Sequence, residues 1–167
     1  MNTIILLQVI IAFAMGIVSL MIVYKALNFY LKRTFKIDDL NTAFATLQAG
    51  ILLSTSILVS SIIGPGINAI RFLNQIEVTF STVSISIAYV VMFLIIGVLF
   101  SMFVVAGGIL ILFQLTKINE WEEIKKNNIA SSIISAALIF GLSLIMKDHV
   151  VTVCEMLVPY PEVLNIR

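Results

Sequence analysis

The chain has 167 residues, 60% of them hydrophobic and only 11% charged, with a net charge of +1 and a mean hydropathy of +1.13. A soluble domain is nearer half apolar and about a quarter charged, so this chain has too little polar surface to cover a water-exposed globule. Near-neutral charge gives no electrostatic case for a nucleic-acid partner, and Cys154, the single cysteine, excludes an intramolecular disulfide and any multi-cysteine metal site.

The opening MNTIILLQVIIAFAMGIVSLMIVY lacks a basic n-region and an A-x-A-like site, so it reads as a retained first span over 3–24 rather than a signal peptide. Lys25, Lys32 and Arg33 stop it. A second span is expected over 43–63, ended by Gly64-Pro65-Gly66, a strong helix breaker. The semi-apolar connection 67–83 follows, then a third span over 84–113, long enough to tilt. Segment 115–128, LTKINEWEEIKKNN, places Leu115, Ile118, Trp121 and Ile124 one per turn. It predicts an amphipathic helical continuation at the cytoplasmic surface anchored by Trp121, read as a solvated helix end, with a docking face as the alternative. Asn119 with Glu122 resembles a capping box, and Glu122 with Lys126 stands at a favourable i,i+4 spacing. A fourth span covers 129–146 and stops at Lys147-Asp148-His149, leaving 148–167 as an interfacial tail. Uninterrupted apolar runs of ~20 residues suit helices crossing a ~30 Å hydrocarbon core. The fold class expected is therefore all-α integral membrane, with the lipid bilayer as first partner.

Sliding the chain on itself by 87 residues superposes Ile37 on Ile124, Asn41 on Asn128, Ala43 on Ala130, Ala49 on Ala136 and Ser56 on Ser143. Gly50 meets Ala137 and Ser54 meets Gly141, small on small. The same shift lays span one on span three and one charged loop on the other. The four helices thus read as two parallel two-helix repeats, 1–66 and 84–147, related by a pseudo-two-fold axis along the membrane normal. Lys25, Lys32, Arg33, Lys36, Lys117, Lys125 and Lys126 lie on the side of loops 25–41 and 115–128, against Arg71, Lys147 and Arg167 on the other. That asymmetry predicts cytoplasmic loops and external termini.

Helices in lipid associate by close approach over small side chains. Thr46, Gly50 and Ser54 form such a stripe on span two, and Ala137 and Gly141 form one in register on span four. They are expected to join helices within one copy or between copies, and a homo-oligomer or a membrane-protein partner follows. The alternative has Ser54, Thr55, Ser56, Ser60 and Ser61 lining a polar path, as in an oligomeric channel or transporter. Asn41 and Asn128 stand where a charged loop becomes a span, each just before the first small residue, Ala43 or Ala130, and are expected to cap the helices that begin there; a ligand contact is the other reading. Gln48, the most polar intramembrane side chain, reads as an interhelical hydrogen-bonder. Span interiors carry no Asp, Glu, Arg or His, and no H-E-x-x-H, G-x-S-x-G or phosphate loop occurs. No enzyme activity and no cofactor are expected.

The two units, each with Asn-x-Ala after a charged loop and before a small-residue span, resemble the domain-of-unknown-function 350 family over about 10–146. Ala137 stands where that family has glycine, and Thr34-Phe35 and Ile118-Asn119 stand where it has Pro-Phe. The resemblance implies small bacterial inner-membrane proteins, often with duplicated two-span units, and no established reaction.

Overall fold

The computed structural model describes residues 2–35, 41–76, 80–115 and 119–158. They form four long helices, α1 (Asn2–Phe35), α2 (Thr42–Ile76), α3 (Phe80–Leu115) and α5 (Ile129–Glu155), with a short α4 (Glu120–Lys125) before the last. All four long helices carry stretches long and apolar enough to cross a bilayer. The chain is an all-α, multi-pass membrane protein.

Each long helix outruns its sequence-predicted span. The break expected at Gly64-Pro65-Gly66 does not occur: α2 continues through Pro65 to Ile76. Proline removes one backbone donor, and in a membrane helix packed neighbours hold such a segment helical. Pro65 and Gly66 are both buried, with Phe93 of α3 seated beside Gly66, 3.6 Å from where a Cβ would lie. The connection expected over 67–83 therefore shrinks to the few residues between Ile76 and Phe80. At the far end, Lys147-Asp148-His149 ends the apolar run but not the helix, which extends to Glu155 and takes in the first part of the expected tail. Charge terminates a span; it does not terminate a helix, since none of these three residues lacks an N–H or demands a left-handed backbone.

α2 packs most extensively on α5. The two run parallel: Ala43 meets Asn127 at one end, Gly50 meets Ala136 further along, and Ile62 and Ala69 share a buried cluster with Val150 and Cys154 at the other. α3 lies against both, and α1 packs mainly on α2. Two apolar clusters fill the bundle. One joins Val23, Leu31, Phe44, Leu47, Ile51, Val105, Trp121, Ile124 and Ile139 near the basic end. The other joins Met15, Leu58, Ile62, Phe93, Val104, Val150 and Cys154 near the opposite end.

Trp121 is a correction to the sequence reading. It is only 6% exposed and sits in the first cluster, with Ile124 beside it. The six-residue α4 turns its apolar face onto the ends of the long helices instead of onto lipid. The capping box is absent too, since Asn119 makes no side-chain cap. The lysines pair one residue nearer than expected: Lys126 with Glu123 at 2.9 Å and Lys125 with Glu122 at 3.6 Å.

Candidate functional site

The most organised polar structure is a cluster of three asparagines where the two halves of the chain meet. α4 ends in a Schellman turn: the Asn127 N–H donates to Ile124 O at 3.0 Å and the Asn128 N–H to Glu123 O at 2.9 Å. This closure needs a left-handed residue, and Asn127 supplies it at φ 63°, because asparagine tolerates that region far better than most residues. The turn leaves the Asn127 side chain directed at α2, where its Oδ1 accepts from the Ala43 N–H at 2.9 Å. Asn41 completes the α2 start: its Oδ1 accepts from the Phe44 N–H at 2.6 Å, and its Nδ2 donates to Ile124 O at 2.9 Å. Asn128 caps α5 by accepting from Ala130 N–H at 3.1 Å and Ser131 N–H at 3.4 Å.

Asn41 and Asn128 are thus both helix caps, as their spacing suggested, and Asn41 also reaches across 83 residues of chain to α4. Asn127 was missed. Its only signal was the doubled Asn-Asn dipeptide, and its role depends on a turn that the spacing of apolar residues does not encode. Ala43 is buried beneath this cluster while Ala130 is exposed. The corresponding charged segment before α2, residues 36–40, lies outside the described residues. Glu123 extends the cluster outward. Asn128 Nδ2 and Lys126 Nζ both donate to its carboxylate, at 3.0 and 2.9 Å. Asn128 first and Lys126 second hold the Glu123 carboxyl below its ordinary range, and the same contact raises Lys126.

Below the asparagines the α2–α5 contact narrows. A Cβ at Gly50 would collide with Ala136 Cβ and lie 2.9 Å from Ala136 Cα, so only glycine admits this approach. Ser54 is buried one turn on, with its hydroxyl donating to Gly50 O at 2.9 Å. The stripe predicted on α2 is therefore at the interface. Its expected partners on α5 are not: Ala137 is exposed, and nothing lies within 4 Å of a Cβ at Gly141. The buried face of α5 runs instead through Ser132, Ser135, Ile139 and Ser143, with Ala136 against Gly50. α5 is apolar nearly all round, so sequence periodicity gave no direction, and the one-residue offset rotates the stripe by about 100°.

Gln48 is buried and its Nε2 donates to Asn28 Oδ1, a polar clasp between α2 and α1. The hydroxyls of α2 close on their own helix: Thr55 on Ile51 O at 2.9 Å, Ser56 on Leu52 O at 2.8 Å, and Ser60 and Ser61 on Ile57 O at 2.7 and 2.9 Å. Glu120, only 7% exposed, is a buried acid that the surface-helix reading had placed in solvent.

Four apolar helices sealed by polar caps at one end define a multi-pass membrane helical bundle. Residues 79–158, which contain α3, α4, the Asn127-Asn128 turn and α5, match the family model Domain of Unknown Function (DUF350). Residues 79–158 carry the DUF350 match, and the likeness read across the first half rests on the sequence alone. No curated protein and no solved structure matches the chain.

Proposed function

We propose that the chain is a structural and interaction module of the membrane, which packs with copies of itself or with another membrane protein and carries no catalytic role. The observation that carries this reading is the closure of the α2 hydroxyls. Ser54 and Thr55 are buried and bonded to the preceding turn, so they offer no continuous water-facing path inside one copy. Ala137 and Gly141, open on the outer face of α5, supply a surface on which another helix can approach closely. The reading includes the duplicated origin of the two units, the bacterial inner membrane, cytoplasmic loops and external termini. The asparagine caps support duplication, because Asn41 and Asn128 do equivalent work at equivalent positions.

A second reading, a conduit between copies, is favoured by one observation: Ser56 and Ser60 are exposed on the outside of α2, one turn apart. Reconstitution into liposomes separates the two. The module passes no ions or small solutes above the background of empty vesicles and runs as an oligomer by native mass in lipid. Flux that falls when Ser56 and Ser60 are replaced by Leu would replace the scaffold with a conduit.

A further inference from the structure

Between α1 and α3, on the basic side of the bundle, lies an apolar slot of about 620 Å³. Its walls are the nine-residue stretches Val23–Leu31 and Met102–Leu110, and Trp121 lies beneath it. Small residues open the walls: Ala26 on α1 and Ala106 on α3. Tyr30, Met102, Ala106 and Leu110 are exposed, so the slot communicates with the outside of the bundle.

We propose that this slot binds one anionic phospholipid, an acyl chain lying between the helices and the phosphate at Arg33. Dimensions suit the occupant. Nine helical residues span about 12 Å at 1.5 Å per residue, and the slot is open to the outside of the bundle beside Tyr30, Met102, Ala106 and Leu110, so an extended acyl chain can enter it from the side. The 12 Å length is close to the ~15 Å half-thickness of a bilayer core, the depth one leaflet's chains occupy.

Charge decides the head group. Position 33 follows Ala26 and Tyr30 along one face of α1 at spacings of seven and three, so the slot's stripe leads to Arg33. The Arg33 guanidinium sits 5.8 Å from the centre of the Phe29 ring, in the last turn of α1. A planar guanidinium matches phosphate oxygens in a two-pronged geometry. Tyr30, 61% exposed, lines the slot one turn before Arg33 and offers an aromatic ring at its mouth.

Trp121 is the chain's single tryptophan and touches the slot, so its fluorescence reports occupancy. The protein is placed in vesicles of unlabelled phosphatidylcholine containing a minor fraction of phosphatidylglycerol brominated on its chains, or the same fraction of brominated phosphatidylcholine. Brominated phosphatidylglycerol is expected to quench Trp121 at least twofold more than its mole fraction predicts for random contact, and brominated phosphatidylcholine is not. Ala106→Phe, at an exposed position, fills the slot and returns quenching to the random level; Ala26→Phe does the same from the opposite wall. Arg33→Ala removes the difference between head groups. Quenching proportional to mole fraction and unchanged by both filling variants overturns the site. Equal quenching by the two head groups overturns the anionic assignment. Loss of oligomer on slot filling, with random quenching before it, hands the slot to a protein partner.

Discussion

Replacing Gly50 by alanine adds one methyl group at the tightest point of the α2–α5 contact. That methyl would overlap Ala136 Cβ and stand 2.9 Å from Ala136 Cα. The second obstacle is backbone, so no rotamer change relieves it and the helices must separate. Overpacking of this kind costs about 1–3 kcal/mol, while glycine to alanine inside a helix returns about 1 kcal/mol through propensity. Gly141→Ala isolates the second effect, because its new Cβ meets nothing within 4 Å. Gly50→Ala is therefore expected to be less stable than Gly141→Ala by about 1–3 kcal/mol in reversible unfolding in mixed micelles, followed by helical circular dichroism. Ala136→Gly in the Gly50→Ala background removes the overlapping methyl but leaves the backbone of residue 136 in the way, so it restores part of the loss, with a coupling of at least about 0.5 kcal/mol. Equal stability of the two single variants, or a double variant no better than the sum of its parts, would refute the close approach.

Asn127→Gly keeps the left-handed turn and loses only the cap on Ala43, a cost of about 0.5–2 kcal/mol; Asn127→Ala adds about 1–2 kcal/mol for the backbone, and thermal melts of both variants show the order. The Glu123 carboxyl is held below its ordinary value in the folded chain. Its contribution is therefore present above the unfolded value near 4.5 and is lost as pH falls through the lower folded value, and Glu123→Gln should flatten the acid limb of a stability profile between pH 5 and 2. Gln48→Leu leaves Asn28 without its partner from α2 and should cost about 0.6–1.7 kcal/mol, the range for hydrogen bonds between membrane helices; a double-mutant cycle with Asn28→Leu that shows no coupling would remove the clasp.

Existence and number of the long helices were legible because a bilayer demands long unbroken apolar runs, and the chain supplies four. Their ends were less legible. Pro65 looks like a stop in sequence, but a packed neighbour at Gly66 sustains the helix, and that neighbour is a tertiary fact. Facing was least legible. In water the buried side of a helix is more apolar than its outside, whereas here lipid and bundle interior are alike, so Ala137 and Ala136 could not be told apart by pattern. Trp121 failed for a related reason: an amphipathic segment at a membrane boundary can lay its apolar side on lipid or on protein, and its spacing is the same in both. Asn41 and Asn128 succeeded because a helix start is a local requirement, met by a side chain within three residues of the bond it makes.

The Asn127 bond to Ala43 also sets an order of events. The first turn of α2 takes one of its hydrogen bonds from a residue 84 positions further along. At ~5–20 residues per second of synthesis, that acceptor emerges roughly 4–17 s after Ala43 does. The first turn of α2 is therefore completed only once the second half of the chain has been made, and a chain that ends between residues 76 and 127 lacks the acceptor for the Ala43 N–H.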